Sequence, residues 1–293
     1  MEQRRLGTSD LVVGRIAFGC WRFAGADIAT AVERLTTALD AGVTLVDTAD
    51  IYGRGSVGFG GAEELLGRAL AAEPGLRDRM VLTTKGGIWP GVPYDSSEMY
   101  LRAACEASLG RLGLEQVDLY QIHRPDLLTH PAEVALALSK LVASGKVRHV
   151  GVSNHSAAQF AALQEHLSVP LVTTQPEFHL LRLDPMDDGI FDQAMQHDVT
   201  PLVWSPLAGG RLASPDCDGH PELAIALDEL AAHHEVDRTV IALAAVLAHP
   251  SSPVAIIGTQ EPARIQLQAR AADIALTRAE VYRLMSAAGR RLP

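Results

Sequence analysis

Cysteine, lysine and long apolar runs are all scarce in this chain of 293 residues. The three cysteines, Cys20, Cys105 and Cys217, are odd in number and far apart, which argues against a disulfide framework. None has metal-ligand spacing. His233 and His234 adjoin, and neighbours on a helix point different ways, so we expect no chelate there and no metal. Of 25 basic residues only Lys85, Lys140 and Lys146 are lysine, which makes each lysine worth placing. Formal net charge is −10, and basic residues cluster no further than pairs such as Arg4-Arg5 and Arg290-Arg291. A nucleic-acid partner needs more, and is excluded. No stretch approaches the roughly 20 apolar residues of a membrane span, and residues 1–8 carry no apolar signal core. We expect a cytoplasmic protein with no membrane partner.

What is present is a regular alternation. Short apolar runs recur at residues 16–18, 43–46, 80–83, 117–122, 147–152, 171–174, 202–204 and 254–257. Each is too short for a helix and rich in Val, Leu and Ile, as strands covered on both faces should be. Helical patterns lie between them: Ile28, Val32, Leu35, Leu39; Leu101, Cys105, Ser108, Leu112; Leu223, Leu227, Leu230; Val240, Leu243, Leu247. Asp27 and residues 95–97 offer N-caps, Gly42, Gly113 and Gly145 end helices, and Pro131 opens one. Eight strands alternating with helices predict an α/β fold of the (β/α)8 TIM-barrel type, a single domain over residues 1–293. Residues 4–6 and 11–14 read as a hairpin lid on the barrel floor, and residues 277–288 as an extra C-terminal helix packed outside. The rival is a doubly wound dinucleotide sheet, since Gly53-Arg54-Gly55-Ser56-Val57-Gly58 spells G-x-G-x-x-G. Those glycines follow the strand too late, and the next strand ends in Lys85 instead of an acid, so the barrel is the better reading.

A barrel carries its chemistry at the C-terminal strand ends. There the second strand offers Asp47, with Tyr52 five residues on; the third offers Lys85; the fourth, His123. Trp21, Trp89 and Trp204 fall at or just past strand ends, and aromatics around a few convergent polar groups make a small-molecule site. A tyrosine hydroxyl, with an unperturbed pKa near ~10, becomes a proton donor if an ammonium lowers that value. An aspartate holds the ammonium, and a neutral histidine orients a carbonyl oxygen. Singly, each residue has a plainer role: Asp47 a cap, Lys85 a solvated charge, His123 a turn residue, Tyr52 packing. Four such groups in fixed order on adjacent strands point to proton transfer at a carbonyl.

The same segments resemble the aldo-keto reductases. Residues 46–53 (VDTADIYG), Thr84-Lys85 and residues 118–125 (DLYQIHRP) match that family's tetrad segments, and residues 145–154, Gln175, residues 205–210 and the stretch from Ile257 to Arg264 continue the match. The closest branch is the bacterial reductases of general or unassigned substrate. The resemblance implies NADPH, with NADH as the alternative, reducing a small-molecule aldehyde or ketone. It makes Tyr52 the general acid, tuned by Lys85 and Asp47, with His123 positioning the carbonyl. It implies that Ser153, Asn154 and Gln175 hold the nicotinamide carboxamide, with Gly19, Cys20 and Asp47 beside it, and that Trp204 stacks on the ring. Ser205, Pro206, Leu207 and Gly209 would wrap the pyrophosphate. Gly258, Thr259, Gln260, Arg264 and Gln268 would meet the adenosine end, Arg264 pairing a 2′-phosphate. Trp21 and Trp89 would shape the substrate pocket. This chain departs from the pattern at Gly258, where some members carry lysine, at Cys20, where threonine is common, and in a long glycine-rich loop at residues 53–61. Two other readings compete: a Schiff-base barrel enzyme with Lys85 as nucleophile, and a non-catalytic NADPH-binding regulatory subunit. No oligomeric state is assigned.

Overall fold

Strand β3 (Ile16–Gly19) pairs on one side with β4 (Leu45–Asp47) and on the other with β10 (Val254–Ile257), and the second pairing closes a barrel. The computed structural model describes residues 2–293; Met1, the first residue of the segment read as lacking a signal core, lies outside them. Between β4 and β10 run β5 (Val81–Gly86), β6 (Val117–Ile122), β7 (Val147–Ser153), β8 (Leu171–Gln175) and β9 (Thr200–Val203). All eight barrel pairings are parallel, so every C-terminal strand end lies on one rim.

The hairpin of β1 (Gln3–Arg5) and β2 (Val12–Gly14) closes the opposite end. Leu6, Leu11 and Val13 pack there with inward-facing Ala17, Leu45, Leu119 and Val172, all out of water. The main apolar cluster lies between the strands and the surrounding helices: α1 (Ile28–Asp40), α2 (Gly61–Ala72), α3 (Glu98–Leu112), α4 (Pro131–Ala143), α5 (Ala157–Gln164) and α6 (Ile190–Gln196), then α8 (Arg238–Leu247) and α9 (Pro262–Ala269). Helix α7 (Pro221–His233) packs on α8 and on the final helix α10 (Arg278–Ala287) in a second cluster. Asp27 and Ser97 cap α1 and α3 through Thr30 and Tyr100, and Thr277 with Glu280 forms a capping box on α10.

The second strand begins two residues later than expected. Gly42 (φ 80°) ends α1, and the Val43 amide donates back to the Ala38 carbonyl at 2.9 Å, so Val43 belongs to the helix stop. Likewise Trp204 stands just beyond β9, whose start moves back to Thr200. The expectation that His233 and His234 point apart also fails. Helix α7 ends at His233, and the ligand atoms of His233, His234 and Glu280 lie within 4.8 Å of one another. His234 Nε2 lies 2.8 Å from Glu280 Oε1 while Glu280 Oε2 caps α10, so the group joins the two helices. Among the described residues no helix is long and apolar enough to cross a membrane.

Candidate active site

Past the end of β4 the chain stays clamped to β5, Thr48 N donating to Thr83 O at 2.9 Å and Asp50 N to Lys85 O at 3.1 Å. It then turns, Tyr52 N reaching Ala49 O at 3.1 Å. That turn brings the phenol back over the strand ends. Lys85 Nζ donates to Asp47 Oδ2 at 2.7 Å, to the Thr48 carbonyl at 2.9 Å and to Tyr52 Oη at 3.2 Å. An ammonium has three protons, and all three are used. Asp47 is bound from the other side too, its Oδ1 accepting from Gln175 Nε2 at 3.0 Å.

Burial sets the proton positions. It pushes the Tyr52 phenol above its ordinary value, and the Lys85 ammonium only partly opposes this. Lys85 therefore does not bring Tyr52 down to neutrality in the protein alone; the phenol keeps its proton. For Lys85, burial pulls the pKa down, but the Asp47 charge, Tyr52 and their hydrogen bonds outweigh it and hold the ammonium above its usual value. His123 is held well below the imidazole range, first by burial and then by the charges of Lys85 and Arg124, so it is neutral, as expected from the sequence. Its ring stands edge-on to Tyr52 with centroids 5.7 Å apart, and Trp21 meets Tyr52 from another side at 5.1 Å.

A cavity of about 1220 Å³ opens above these groups, more than a small carbonyl compound needs. Its lining includes Gly19, Trp21, Asp47, Tyr52 and His123, then Ser153, Asn154, Gln175, Trp204, Ser205, Pro206, Leu207 and Gly209, and also Gly258, Thr259, Gln260, Arg264 and Gln268. Three anticipated residues do not line it. Lys85 lies wholly buried behind the cavity wall. Cys20 is also fully buried, its thiol pushed up by desolvation. Trp89 packs on Tyr100 and Phe59, at 5.6 and 6.3 Å. Sequence reasoning missed Arg22, Arg124, Asp228 and Arg238, which line the cavity. Arg124 had a signal, standing directly after His123; Asp228 and Arg238 sit on α7 and α8 and are brought in only by helix packing.

The middle of the cavity is shaped by unusual backbone. Asn154, Ser205 and Ala208 have φ of 59°, 51° and 53°, the left-handed region that non-glycine residues seldom occupy. Asn154 accepts from Trp204 Nε1 at 3.0 Å and donates to the His123 carbonyl at 3.1 Å. Among the described residues the side-chain oxygens of Gln260 and Gln268, both in the cavity lining, are buried without a partner, while Gln260 Nε2 donates to the Gly19 carbonyl at 3.1 Å. A cavity lined by an indole, several amides, two unpartnered acceptors and an arginine with no ion pair among the described residues fits a nicotinamide dinucleotide. Asp50, close in sequence to Asp47 and Tyr52, does not line the cavity. Its carboxyl is buried without partners and pushed well above the carboxylate range, chiefly by burial.

Comparison with known proteins matches this geometry. The profile of the Aldo/keto reductase family fits residues 15–288. The chain is 52% identical to a 6-dehydroglucose reductase of Novosphingobium aromaticivorans over 99% of its length and 97% of that protein's. It is 38% identical to a 6-dehydroglucose reductase of Agrobacterium fabrum, covering 97% of this chain and 98% of the relative. A thermostable aldo-keto reductase solved with the inhibitor epalrestat superposes with a TM-score of 0.85 at 28% identity, over 98% of this chain and all of the other.

Proposed function

Since the chain belongs to the aldo/keto reductase family, oxidoreductases of carbonyl and alcohol groups that use nicotinamide cofactors, we propose that it reduces a sugar-derived aldehyde with NADPH and Tyr52 as proton donor. The observation that carries this reading is the Lys85 ammonium, spending one proton each on Asp47, the Thr48 carbonyl and Tyr52. When Tyr52 gives up its proton, the phenolate left behind faces that ammonium at 3.2 Å, and Asp47 keeps the lysine charged and in place. Neutral His123 has a ring nitrogen free to hydrogen-bond the same carbonyl oxygen. Bound in the groove, the reduced nicotinamide supplies the hydride. Hydride to carbon and the Tyr52 proton to oxygen together make the alcohol; the reverse reaction returns both.

For the substrate, the support is that both 6-dehydroglucose reductases match over almost their full lengths. Arg264, which lines the groove with no ion pair among the described residues, supports NADPH over NADH. A Schiff-base role for Lys85 is disfavoured, since the amine is protonated, fully buried and outside the cavity. The test is Tyr52→Phe assayed with NADPH and 6-dehydroglucose. Cofactor binding should persist while turnover falls on the order of 10²–10⁴-fold, the loss of a general acid. An unimpaired variant overturns the mechanism, and a wild-type protein that binds NADPH without turnover on any aldehyde returns the regulatory-subunit reading.

A further inference from the structure

Half of the charged groups lining the cavity are already engaged, and of the rest Glu261 is the one acid. Asp47 is held by Lys85, Asp228 by Arg238, and Asp237 by the cap of α8. Arg22, Arg124 and Arg264 line the cavity with no ion pair or side-chain hydrogen bond among the described residues. Arg264 lies on α9. One terminal nitrogen of Arg22 lies 3.2 Å from where a Cβ on Gly258 would be, beside β10. Arg124 is different: it follows His123 directly, at the end where the carbonyl reacts.

The backbone on both sides of Arg124 is fixed. His123 N donates to Gly86 O at 2.8 Å, and the His123 carbonyl accepts from Asn154. Pro125 restricts Arg124 to extended conformations. Beyond it, Asp126 accepts from Ser96 N, Leu128 N and Thr129 Oγ1 at 2.9, 2.9 and 2.7 Å. A half-buried guanidinium thus stands on a rigid base with its donors uncommitted. It offers a planar fork of N–H groups and no acceptor. Across the mouth, Trp21, 60% exposed and edge-on to Tyr52, presents an apolar face.

We infer that Arg124 is the specificity-determining residue of the substrate end, gripping adjacent hydroxyls of a polyhydroxylated aldehyde while Tyr52 and His123 hold its carbonyl. The inference rests on the reductase reading above. A neutral polyol suits the site better than an anionic headgroup. The Asp126 carboxylate sits two residues away, and the Leu128 and Ser96 amides, which could have cradled an anion, are spent on it. Two adjacent oxygens match the fork, and the C–H face of such a chain can lie on Trp21.

The experiment compares wild type, Arg124→Ala and Arg124→Lys in NADPH oxidation with glyceraldehyde, with propanal of the same length but no hydroxyls, and with glyceraldehyde 3-phosphate. Fluorescence titration with NADPH checks that each variant still binds cofactor and is therefore folded; if the alanine variant fails that check, Arg124→Lys is read in its place. We expect the glyceraldehyde-to-propanal ratio of kcat/KM to fall on the order of 10- to 100-fold in Arg124→Ala, as for lost hydrogen bonds from a charged donor, mainly through KM. Arg124→Lys should recover part of it. An unchanged ratio overturns the assignment of Arg124. A wild-type preference for the phosphate that vanishes in Arg124→Ala overturns the polyol in favour of an anion. Failure of wild type to oxidise NADPH with any of the three, while still binding it, overturns the reductase reading itself, and this inference with it.

Discussion

Trp204 Nε1 donates to Asn154 Oδ1 at 3.0 Å, tying the indole wall of the groove to an asparagine whose Nδ2 donates to the carbonyl of His123. The surface read as the nicotinamide floor and the residue read as the carbonyl's holder are therefore one bonded unit, although 81 positions separate them in the chain (204 minus 123). Trp204→Phe keeps a flat apolar face and removes the donor. One neutral hydrogen bond is worth about 0.5–1.5 kcal/mol, so cofactor affinity by fluorescence titration should fall by roughly two- to tenfold.

Lys85→Met leaves the Asp47 carboxylate buried with no cation beside it. Breaking a buried pair from one side costs about 3–5 kcal/mol, and urea unfolding should register a loss of that size. The double variant Asp47→Asn, Lys85→Met removes the stranded charge and should regain most of the stability without regaining activity.

Arg264→Ala separates the two cofactors. Loss of a charge-assisted contact with the 2′-phosphate should weaken NADPH on the order of 10- to 100-fold and leave NADH nearly unaffected, measured by fluorescence quenching. Equal losses for both would remove Arg264 from the phosphate.

Gly86 ends β5 where no side chain fits, since a Cβ there would lie 2.1 Å from the hydroxyl of fully buried Tyr120. Gly86→Ala should cost about 1–3 kcal/mol in unfolding measurements, the range for overpacking a core. Adding Tyr120→Phe should return part of this, as it removes the clashing oxygen but leaves the ring carbon at 3.1 Å.

Stability should fall on acidification below neutrality. Burial holds the His155 imidazole down to about 4. In the unfolded chain its value is ~6.5. Between those values the unfolded chain binds a proton that the folded one refuses, so the contribution is complete above pH ~6.5 and is lost as pH drops toward 4. The size is roughly 3 kcal/mol, and His123 acts in the same direction. Urea unfolding between pH 7.5 and 4.5 should show this slope, and His155→Gln should flatten it.

Much of the barrel was legible because a parallel sheet covered on both faces needs uninterrupted apolar strands, and because the glycines of residues 53–58 follow their strand too late for the doubly wound order. Asp47, Lys85 and His123 were legible for a related reason: in such a barrel a residue's place at a strand end dictates which rim it reaches. Caps such as Asp27 and Thr277 were readable since they act within four residues. Val43 was misread where a helix stop claimed its amide.

Local sequence therefore determined the strands, their order and the rim on which the polar groups emerge, because those depend on short-range periodicity and chain direction. Tertiary structure alone decided where the protons rest: Tyr52 stays protonated because burial outweighs the lysine beside it, a balance of desolvation and charge that exists only after packing. It also decided that Asn154 links Trp204 to His123, that Asp228 and Arg238 reach the groove from two outer helices, and that Arg124 is left with its donors free. Those are contacts between distant parts of the chain, and no spacing in the sequence encodes them.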